Sequence, residues 1–267
     1  MCATANELRL ALLQQDIAWE DPRANYERVE EAFRHVRADL LVVPEMFTIG
    51  FGGDMARLAE PPEGPTLRFA ARMARQHNAL FVATWPVAEG GKAWNRMHWV
   101  APDGSHGSYD KAHTFRMSNE AEQLARGTRR ATFLWRGWRI RPAVCYDLRF
   151  PVWLRNRALA PTAQGQPPEM DYDLLLLCAN WPASRRQAWD TLLRARAIEN
   201  QCYVAGANRV GADGTETAYS GNSAVINYKG CAVAEAAPDA QQVVTATLNK
   251  EKLQGFRTRW PFWLDAD

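Results

Sequence analysis

Short runs of apolar and β-branched residues recur along the chain and are separated by turn-forming residues. Runs of this length and composition predict strands, which we place at Leu8–Gln14, Leu40–Pro44, Leu80–Trp85, Trp94–Val100, Trp138–Val144, Asp173–Cys178, Tyr203–Ala207, Ala224–Asn227 and Val243–Leu248. Helical periodicity between several of them predicts helices at Pro22–Arg37, Pro65–Gln76, Val152–Ala160 and Arg185–Asn200. Because strands and helices alternate, we predict an α/β fold in which helices cover the sheets and catalytic residues follow strands.

The chain is predicted to form a single domain over residues 1–267, because no composition shift or repeat marks a boundary. The segment Ala160–Tyr172 is rich in proline, glycine and glutamine, which predicts a surface loop. The C-terminal tail, about residues 250–267, ends in the aromatic stretch FRTRWPFWLDAD. Clustered aromatic side chains are unfavourable in water, so we expect this tail to pack on the core or on a partner subunit.

Composition argues against several classes of function. The chain has 267 residues, of which 47% are hydrophobic and 23% charged, as in an ordinary soluble globular protein. Its formal net charge is +2 and its basic and acidic residues are interspersed, so nucleic acid is not an expected partner. The sequence shows neither a leader-like start nor an apolar run long enough to cross a membrane, which favours a cytoplasmic location.

Cysteine and histidine spacing argues against a metal site. The five cysteines include no CxxC pair, and the five histidines form no HExxH pattern. We therefore expect free thiols, no metal ion and no cofactor, with the chemistry carried by side chains alone.

Three predicted strands are followed by polar residues that could be catalytic. Glu45 ends the run LLVVPE, where a partly desolvated carboxylate is suited to act as a general base, although a loop glutamate would look the same. Lys111 lies in YDKAH and is either a solvated lysine or a fixed ammonium. Cys145 follows RIRPAV at the expected amino end of a helix, where a thiolate is favoured. Cys178 and Cys202 lie inside apolar runs and are expected to be buried and inert.

Together these three residues fit amide hydrolysis through an acyl-enzyme. Glu45 would take the thiol proton and Cys145 would attack the carbonyl carbon. Lys111 and the backbone N–H of Tyr146 would hold the oxyanion. Glu45 would then protonate the departing ammonia and activate water against the thioester.

The segments VVPEMF, YDKAHTF and VCYDLRFP, in this order, resemble the nitrilase superfamily of carbon–nitrogen hydrolases. The similarity extends from Leu8 to about Leu248 and includes FRM, ANWP, RARAIEN, ANRV and YSGNS. It implies a four-layer αββα sandwich, a homodimer and a Glu45–Lys111–Cys145 triad. It also implies that a second glutamate, best matched by Glu120, orients the lysine.

The motifs are most similar to the ω-amidase branch, whose enzymes hydrolyse the terminal amide of 2-oxoglutaramate or 2-oxosuccinamate. Such a substrate needs a cation for its carboxylate, and Arg149, four residues after Cys145, is the candidate, unless it pairs with Asp147 as a structural arginine. Pocket walls are expected from Phe115, Met117 and Trp181. The residues AHTF that follow the lysine depart from the best-studied relatives, which bears on substrate preference.

Three alternatives compete with this assignment. Other branches of the superfamily act on a deaminated glutathione-like peptide, an N-carbamoyl compound or a nitrile, and would need a different pocket. A papain-type cysteine–histidine pair would require His113 to reach Cys145, and leaves Glu45 and Lys111 without roles. A catalytically inactive dimeric binding module would not need the reactive residues at the three triad positions.

Overall fold

The computed structural model describes residues 6–159 and 169–265. Its strands are β1 (Glu7–Gln14), β2 (Leu40–Val42), β3 (Leu80–Glu89), β4 (Lys92–Val100), β5 (His106–Asp110), β6 (Phe133–Trp135), β7 (Trp138–Val144), β8 (Leu174–Ala179), β9 (Tyr203–Asn208), β10 (Val210–Ala212), β11 (Ala218–Ser220), β12 (Ala224–Ile226), β13 (Ala232–Glu235) and β14 (Gln242–Asn249). Its α-helices are α1 (Pro22–Phe33), α2 (Pro65–His77), α3 (Glu120–Gln123), α4 (Pro151–Leu154), α5 (Arg186–Glu199) and α6 (Lys250–Arg259). Short 3₁₀ helices lie at Cys145–Arg149, Ala183–Arg185 and Phe262–Asp265.

Two six-stranded sheets of similar design carry the fold. Their strand orders are β14-β1-β2-β3-β4-β5 and β13-β12-β9-β8-β7-β6. In each sheet three parallel strands occupy the centre, β1 to β3 in one and β7 to β9 in the other, and antiparallel strands flank them. The parallel strands are almost wholly apolar because both of their faces are covered.

The core is divided by the sheets into layers. Alternate residues of β1, including Leu8, Leu10 and Leu12, pack with apolar residues of β7 to β9 between the two sheets. The residues between them, including Ala11 and Leu13, face the opposite way and pack against α1 and α2. Helix α5 covers the second sheet through Trp189, Leu193 and Ala197. The order of layers is therefore helices, sheet, sheet and helices, which confirms the predicted αββα sandwich.

One predicted helix is much shorter than the sequence pattern indicated. The sequence predicted a helix over Val152–Ala160, whereas in the described residues 151–159 the helix extends only over Pro151–Leu154. The chain leaves the helix because the Asn156 side chain bonds the backbone of Tyr172 and Asn200 instead. The predicted loop Ala160–Tyr172 lies largely outside the described residues, which resume at position 169.

The C-terminal segment contacts the second sheet through α6. Leu253 is buried there, and the buried Arg257 guanidinium bonds Asp173, the Tyr172 carbonyl and the Gln201 carbonyl. Beyond α6 the aromatic residues are about half exposed, with Trp260 at 47% and Phe262 at 57%. None of the helices within the described ranges combines the length and apolar character that crossing a bilayer requires.

Candidate active site

Glu45, Lys111 and Cys145 come together where three strands end. Glu45 follows β2 and Lys111 follows β5, both in the first sheet, whereas Cys145 follows β7 in the second. The Lys111 Nζ lies 2.9 Å from Glu45 Oε1, and Lys111 and Cys145 both line one pocket. Side chains from opposing sheets therefore meet at this end of the sandwich.

The Glu45 carboxylate is fully buried and is held through both oxygens. Its Oε1 accepts hydrogen bonds from Lys111 Nζ at 2.9 Å and from Asn95 Nδ2 at 2.8 Å. Its Oε2 accepts from the Asn180 backbone N–H at 2.8 Å. The Asn180 side chain donates in return to the Glu45 carbonyl at 2.6 Å, so backbone and side chain of Glu45 are both fixed.

The Lys111 ammonium lies between two carboxylates. Both oxygens of Glu120 lie 2.9 Å from Nζ, so three carboxylate oxygens, with that of Glu45, surround an ammonium that has three N–H groups. Burial lowers the pKa of Lys111, but the charges of Glu120 and Glu45 together outweigh it and raise the pKa overall. Burial also raises the pKa of Glu120, against the effect of Lys111. The Phe51 ring centroid lies 5.2 Å from Nζ on the pocket side.

Cys145 begins the 3₁₀ helix that follows β7 and adopts a φ of 43°, in the left-handed region that non-glycine residues rarely occupy. Its thiol lies 3.7 Å from the Asn180 carbonyl oxygen, and the residue is 9% exposed. Burial raises its pKa well above the ordinary value, the Glu45 charge adds to this, and Lys111 opposes it. The expectation that the helix end favours a resting thiolate was therefore wrong, because desolvation and the carboxylates dominate.

Asp147 ties the nucleophile to the lysine segment. Its Oδ2 accepts from the Val144 backbone N–H at 3.0 Å and from the Tyr109 hydroxyl at 2.8 Å. Its Oδ1 lies 2.7 Å from His113 Nδ1 and accepts the His113 backbone N–H at 3.0 Å. Asp147 therefore pairs with His113 and not with Arg149. A papain-type pair would require His113 to contact Cys145, whereas its ring nitrogen contacts Asp147.

The pocket has a volume of about 500 Å³ and is lined by most of the residues predicted from the sequence. Besides Lys111 and Cys145 these are Phe115, Met117, Tyr146, Arg149 and Trp181. Met117 is 67% exposed and so belongs to the rim. Glu45 and Glu120 do not line the pocket but lie buried behind Lys111.

Two arginines face this pocket, each stacked on an aromatic ring. The Arg149 guanidinium lies 4.9 Å from the Trp181 ring centroid, and that of Arg185 lies 5.2 Å from the Phe115 ring centroid. The Arg185 carbonyl accepts the Trp181 indole N–H at 2.8 Å, which fixes the ring beneath Arg149. Within residues 6–159 and 169–265, neither guanidinium forms an ion pair with an acidic side chain.

A loop after β10 contributes an anchored carboxylate to the pocket wall. Asp213 accepts hydrogen bonds from Thr215, from the Thr217 N–H and from the Tyr219 hydroxyl at 2.7 Å. Burial raises the pKa of Asp213, but these hydrogen bonds lower it overall. Burial raises the pKa of Tyr219, and the bond to Asp213 adds to this. Arg209, from the ANRV segment, is buried beneath the Tyr219 ring and supports this wall from behind.

Sequence reasoning missed four residues of this site. Arg185 carried a signal, since it follows Trp181 by one helical turn in ANWPASR. Phe51 and Asp213 lie in loops, where spacing gives no direction for the side chain. Asn95 lies inside a predicted strand, where a buried polar residue is only visible once its partners are known.

Comparison with known proteins agrees with this geometry. The sequence pattern of the family described as carbon-nitrogen hydrolase matches residues 9–258. The chain belongs to the carbon–nitrogen hydrolase family. This confirms the resemblance to the nitrilase superfamily that the motifs around Glu45, Lys111 and Cys145 indicated. No cluster of acidic, histidine or cysteine side chains in the described ranges has the geometry to hold a metal ion.

Individual relatives of this carbon–nitrogen hydrolase are similar over nearly the whole chain. Omega-amidase YafV of Yersinia enterocolitica is 42% identical, covering 97% of both chains. The 2-oxoglutaramate amidase of Bacillus subtilis is 29% identical, covering 96% of both. A crystal structure from Xanthomonas campestris, a CN-hydrolase superfamily protein with an arsenic adduct in its active site, is 41% identical with a TM-score of 0.92, covering 98% of this chain and 97% of that one.

Proposed function

We propose that this protein hydrolyses the terminal carboxamide of a small 2-oxo acid, of the 2-oxoglutaramate or 2-oxosuccinamate type, to the acid and ammonia. The observation that carries the proposal is one pocket lined by Cys145, Lys111 and Arg149, whose guanidinium has no acidic partner among the described residues. The similarity to omega-amidases and 2-oxoglutaramate amidases supports the same substrate class.

Counting acceptor sites assigns the proton transfer to one oxygen of Glu45. Oε1 already accepts two hydrogen bonds, from Lys111 and Asn95, whereas Oε2 accepts one, from the Asn180 N–H. A carboxylate oxygen has two lone pairs in its plane, so Oε2 can take the Cys145 proton. Proton transfer during attack, and not a preformed thiolate, is consistent with the raised pKa of Cys145.

Sulfur attack forms the C–S bond and moves the carbonyl π electrons onto oxygen. The tetrahedral oxyanion is held by Lys111 and by the backbone N–H of Tyr146. Once Glu45 is protonated, its Oε1 becomes a weaker acceptor, and the Lys111 N–H that it held can turn to the oxyanion. Proton transfer and oxyanion stabilisation are then coupled through one carboxylate.

Collapse of the intermediate breaks the C–N bond and leaves a thioester on Cys145. Glu45 returns its proton to the departing nitrogen, which leaves as ammonia. Glu45 then removes a proton from water as the water attacks the thioester, and protonates the sulfur when the C–S bond breaks. The residue therefore regains its starting state, and no oxidant or metal takes part in the balance.

Arg149 is the group proposed to bind the substrate carboxylate. Its guanidinium is unpaired in the described part of the chain and rests on Trp181, a geometry that leaves its edge N–H groups for a bidentate anion. Arg185 provides a second cation on the other aromatic wall, formed by Phe115. Met117 at the rim completes the apolar contact with the carbon chain of the substrate.

We also propose that the protein is a cytoplasmic homodimer. The half-exposed Trp260 and Phe262 beyond α6 support a contact with a second subunit, because such clusters are unfavourable in water. The four cysteines of the described residues are free thiols, as a reducing compartment allows.

The test measures ammonia release from 2-oxosuccinamate, glutamine, an N-carbamoyl amino acid, an aliphatic nitrile and a neutral aliphatic amide. The wild type should prefer the 2-oxo amide. Arg149→Met should lower kcat/KM for it by roughly 10- to 100-fold, since a charged hydrogen-bond partner is lost, and leave the neutral amide nearly unchanged. Arg186→Met is the matched control, because Arg186 pairs with Asp190 outside the pocket. Equal losses on both amides would contradict the role of Arg149, and preference for another compound would replace the substrate.

A further inference from the structure

Asn95 contacts three members of the catalytic cluster from one position in β4. Its Nδ2 lies 2.8 Å from Glu45 Oε1 and 2.9 Å from Glu120 Oε1. Its backbone carbonyl accepts the Lys111 N–H at 2.9 Å. The residue is 1% exposed and does not line the pocket, so it touches the catalytic residues and not the substrate.

The orientation of the Asn95 amide follows from its neighbours. Ionised carboxylates only accept hydrogen bonds, so the NH₂ end must face Glu45 and Glu120, one N–H to each. In the described structure Oδ1 is consequently buried without a hydrogen-bond partner. A buried unpaired acceptor is destabilising, and an apolar residue of the same shape would remove that cost. The presence of asparagine at this position is therefore explained by the two hydrogen bonds that its NH₂ group donates to the carboxylates.

The electrostatics of the cluster explain why a neutral donor is useful there. Glu45 and Glu120 share the single charge of Lys111 in a site withdrawn from water. Burial and the charge of Glu45 both oppose ionisation of Glu120. Each N–H of Asn95 favours the ionised form of one carboxylate without adding a charge. It also holds Glu45 Oε1, while Oε2 accepts the Asn180 N–H, and the Asn180 carbonyl oxygen lies 3.7 Å from the Cys145 thiol.

We propose that Asn95 is a positioning residue that keeps Glu45 and Glu120 ionised and holds the Glu45 carboxylate in a fixed orientation. It thereby sets the pH range in which Glu45 acts as the base. This rests on the proposed cysteine chemistry but not on the identity of the substrate. The charged and titratable groups of the cluster and of the pocket beside it are Glu45, Glu120, Lys111, Cys145, Arg149, Arg185, Asp213 and Tyr219.

The sign of the expected effect is fixed by which protonation state Asn95 stabilises. Without its N–H groups the ionised carboxylates lose hydrogen bonds, so protons bind them more readily. The acid limb of the pH profile should therefore move to higher pH in Asn95→Leu, which keeps the shape of the side chain. Asn95→Asp should lose more activity at pH 7, because a third carboxyl group replaces the donor. Asn95→Ser, which retains one O–H donor, should fall between the wild type and Asn95→Leu.

The experiment follows two quantities over pH 5 to 9 in all three variants. One is kcat/KM for 2-oxosuccinamate, and the other is the rate of alkylation of Cys145 by iodoacetamide, which requires no substrate. We expect roughly a 10- to 100-fold loss of both at pH 7 in Asn95→Leu and an acid limb displaced upward by about one pH unit. Asn156→Leu is the matched control, since Asn156 is a buried, hydrogen-bonded asparagine away from the pocket.

The outcomes separate the two proposals. An upward-shifted acid limb in Asn95→Leu, with Asn156→Leu unshifted and the melting temperature of Asn95→Leu preserved or raised, supports the inference. Lower activity with an unmoved acid limb, or a limb that shifts equally in Asn156→Leu, would overturn it. If Asn95→Leu does not fold, the same criterion applies to Asn95→Ser. Failure of the wild type to hydrolyse 2-oxosuccinamate would count against the proposed function alone, because the alkylation profile would still decide the role of Asn95.

Discussion

The stability of this protein should fall as the pH is lowered from 7 to 5 because of one buried histidine. His98 in β4 is 3% exposed, and its ring is stacked on Trp85 with the centroids 3.9 Å apart. Burial, reinforced by the charges of Arg96 and His106, lowers the pKa of His98 from 6.5 to about 3. His98 is therefore neutral in the folded protein at pH 5.

The size of the effect follows from the difference between the folded and unfolded states. Below pH 6.5 the unfolded chain binds a proton at His98 that the folded chain does not, so acid favours unfolding. One pKa unit corresponds to about 1.4 kcal/mol, so the 1.5 units between pH 6.5 and pH 5 amount to about 2 kcal/mol. The stabilisation is present above pH 6.5 and declines steadily as the pH falls towards 3.

The assay is urea unfolding of the wild type and of His98→Phe at pH 7 and pH 5. Phenylalanine keeps a ring against Trp85 but cannot bind a proton. We expect the difference in unfolding free energy between the two pH values to be smaller by about 2 kcal/mol in His98→Phe. His35→Phe is the control, because His35 is exposed and its substitution should leave the pH dependence unchanged. An equal pH dependence in the wild type and His98→Phe would show that His98 does not cause the loss of stability in acid.

Two further results are expected. Arg257→Met should destabilise the protein by about 3 kcal/mol in urea unfolding, because Asp173 Oδ1 and the Gln201 carbonyl lose their partner and the Tyr172 carbonyl loses one of two donors. Arg259→Met on the exposed side of α6 should change little, and equal effects would contradict an anchoring role for Arg257. Glu45→Gln should slow alkylation of Cys145 by iodoacetamide at pH 7 by roughly tenfold or more, because the base that takes the thiol proton is lost. Peptide mapping measures the rate at each cysteine, and the exposed Cys231 should react as before. An unchanged rate at Cys145 would exclude Glu45 as its base.

The part of the site that the sequence predicted consists of residues whose position follows from strand ends. Glu45 and Cys145 each come just after an apolar run, and a strand end presents its next residue at the edge of a sheet. Lys111 follows β5, a polar strand that the hydrophobic pattern did not predict. Arg149 was predictable through its distance from Cys145 along a helical turn. Local spacing is sufficient for Arg149, because the short stretch of chain after Cys145 fixes their separation. That Glu45, Lys111 and Cys145 meet in space was expected from the family resemblance and not from spacing.

The residues that sequence reasoning missed owe their roles to contacts between distant segments. Asn95 and Glu45 are 50 positions apart in the chain, and nothing in the strand sequence KAWNRMHWV indicates that the amide faces two carboxylates. The resting state of Cys145 was predicted wrongly for a similar reason. The helix end was visible in the sequence, whereas the burial and the two nearby carboxylates that raise its pKa arise only on folding.

The fold class was predictable because alternation of strands and helices is a property of the whole chain. Individual boundaries were less so, as the helix predicted over Val152–Ala160 illustrates. Its apolar spacing is helical, but Asn156 bonds the distant Tyr172 and Asn200, and these bonds draw the backbone out of the helix after Leu154. A tertiary contact of this kind overrides local preference.

In the proposed reaction Cys145 carries the acyl group of a 2-oxo acid amide during hydrolysis. Rapid acid quenching of the wild type with 2-oxosuccinamate, followed by digestion and mass spectrometry, tests it directly. The peptide containing Cys145 should gain the mass of the acyl group, hydroxylamine should remove it, and Cys145→Ala should release no ammonia. Continued ammonia release by Cys145→Ala, with no adduct on the wild type, would contradict it.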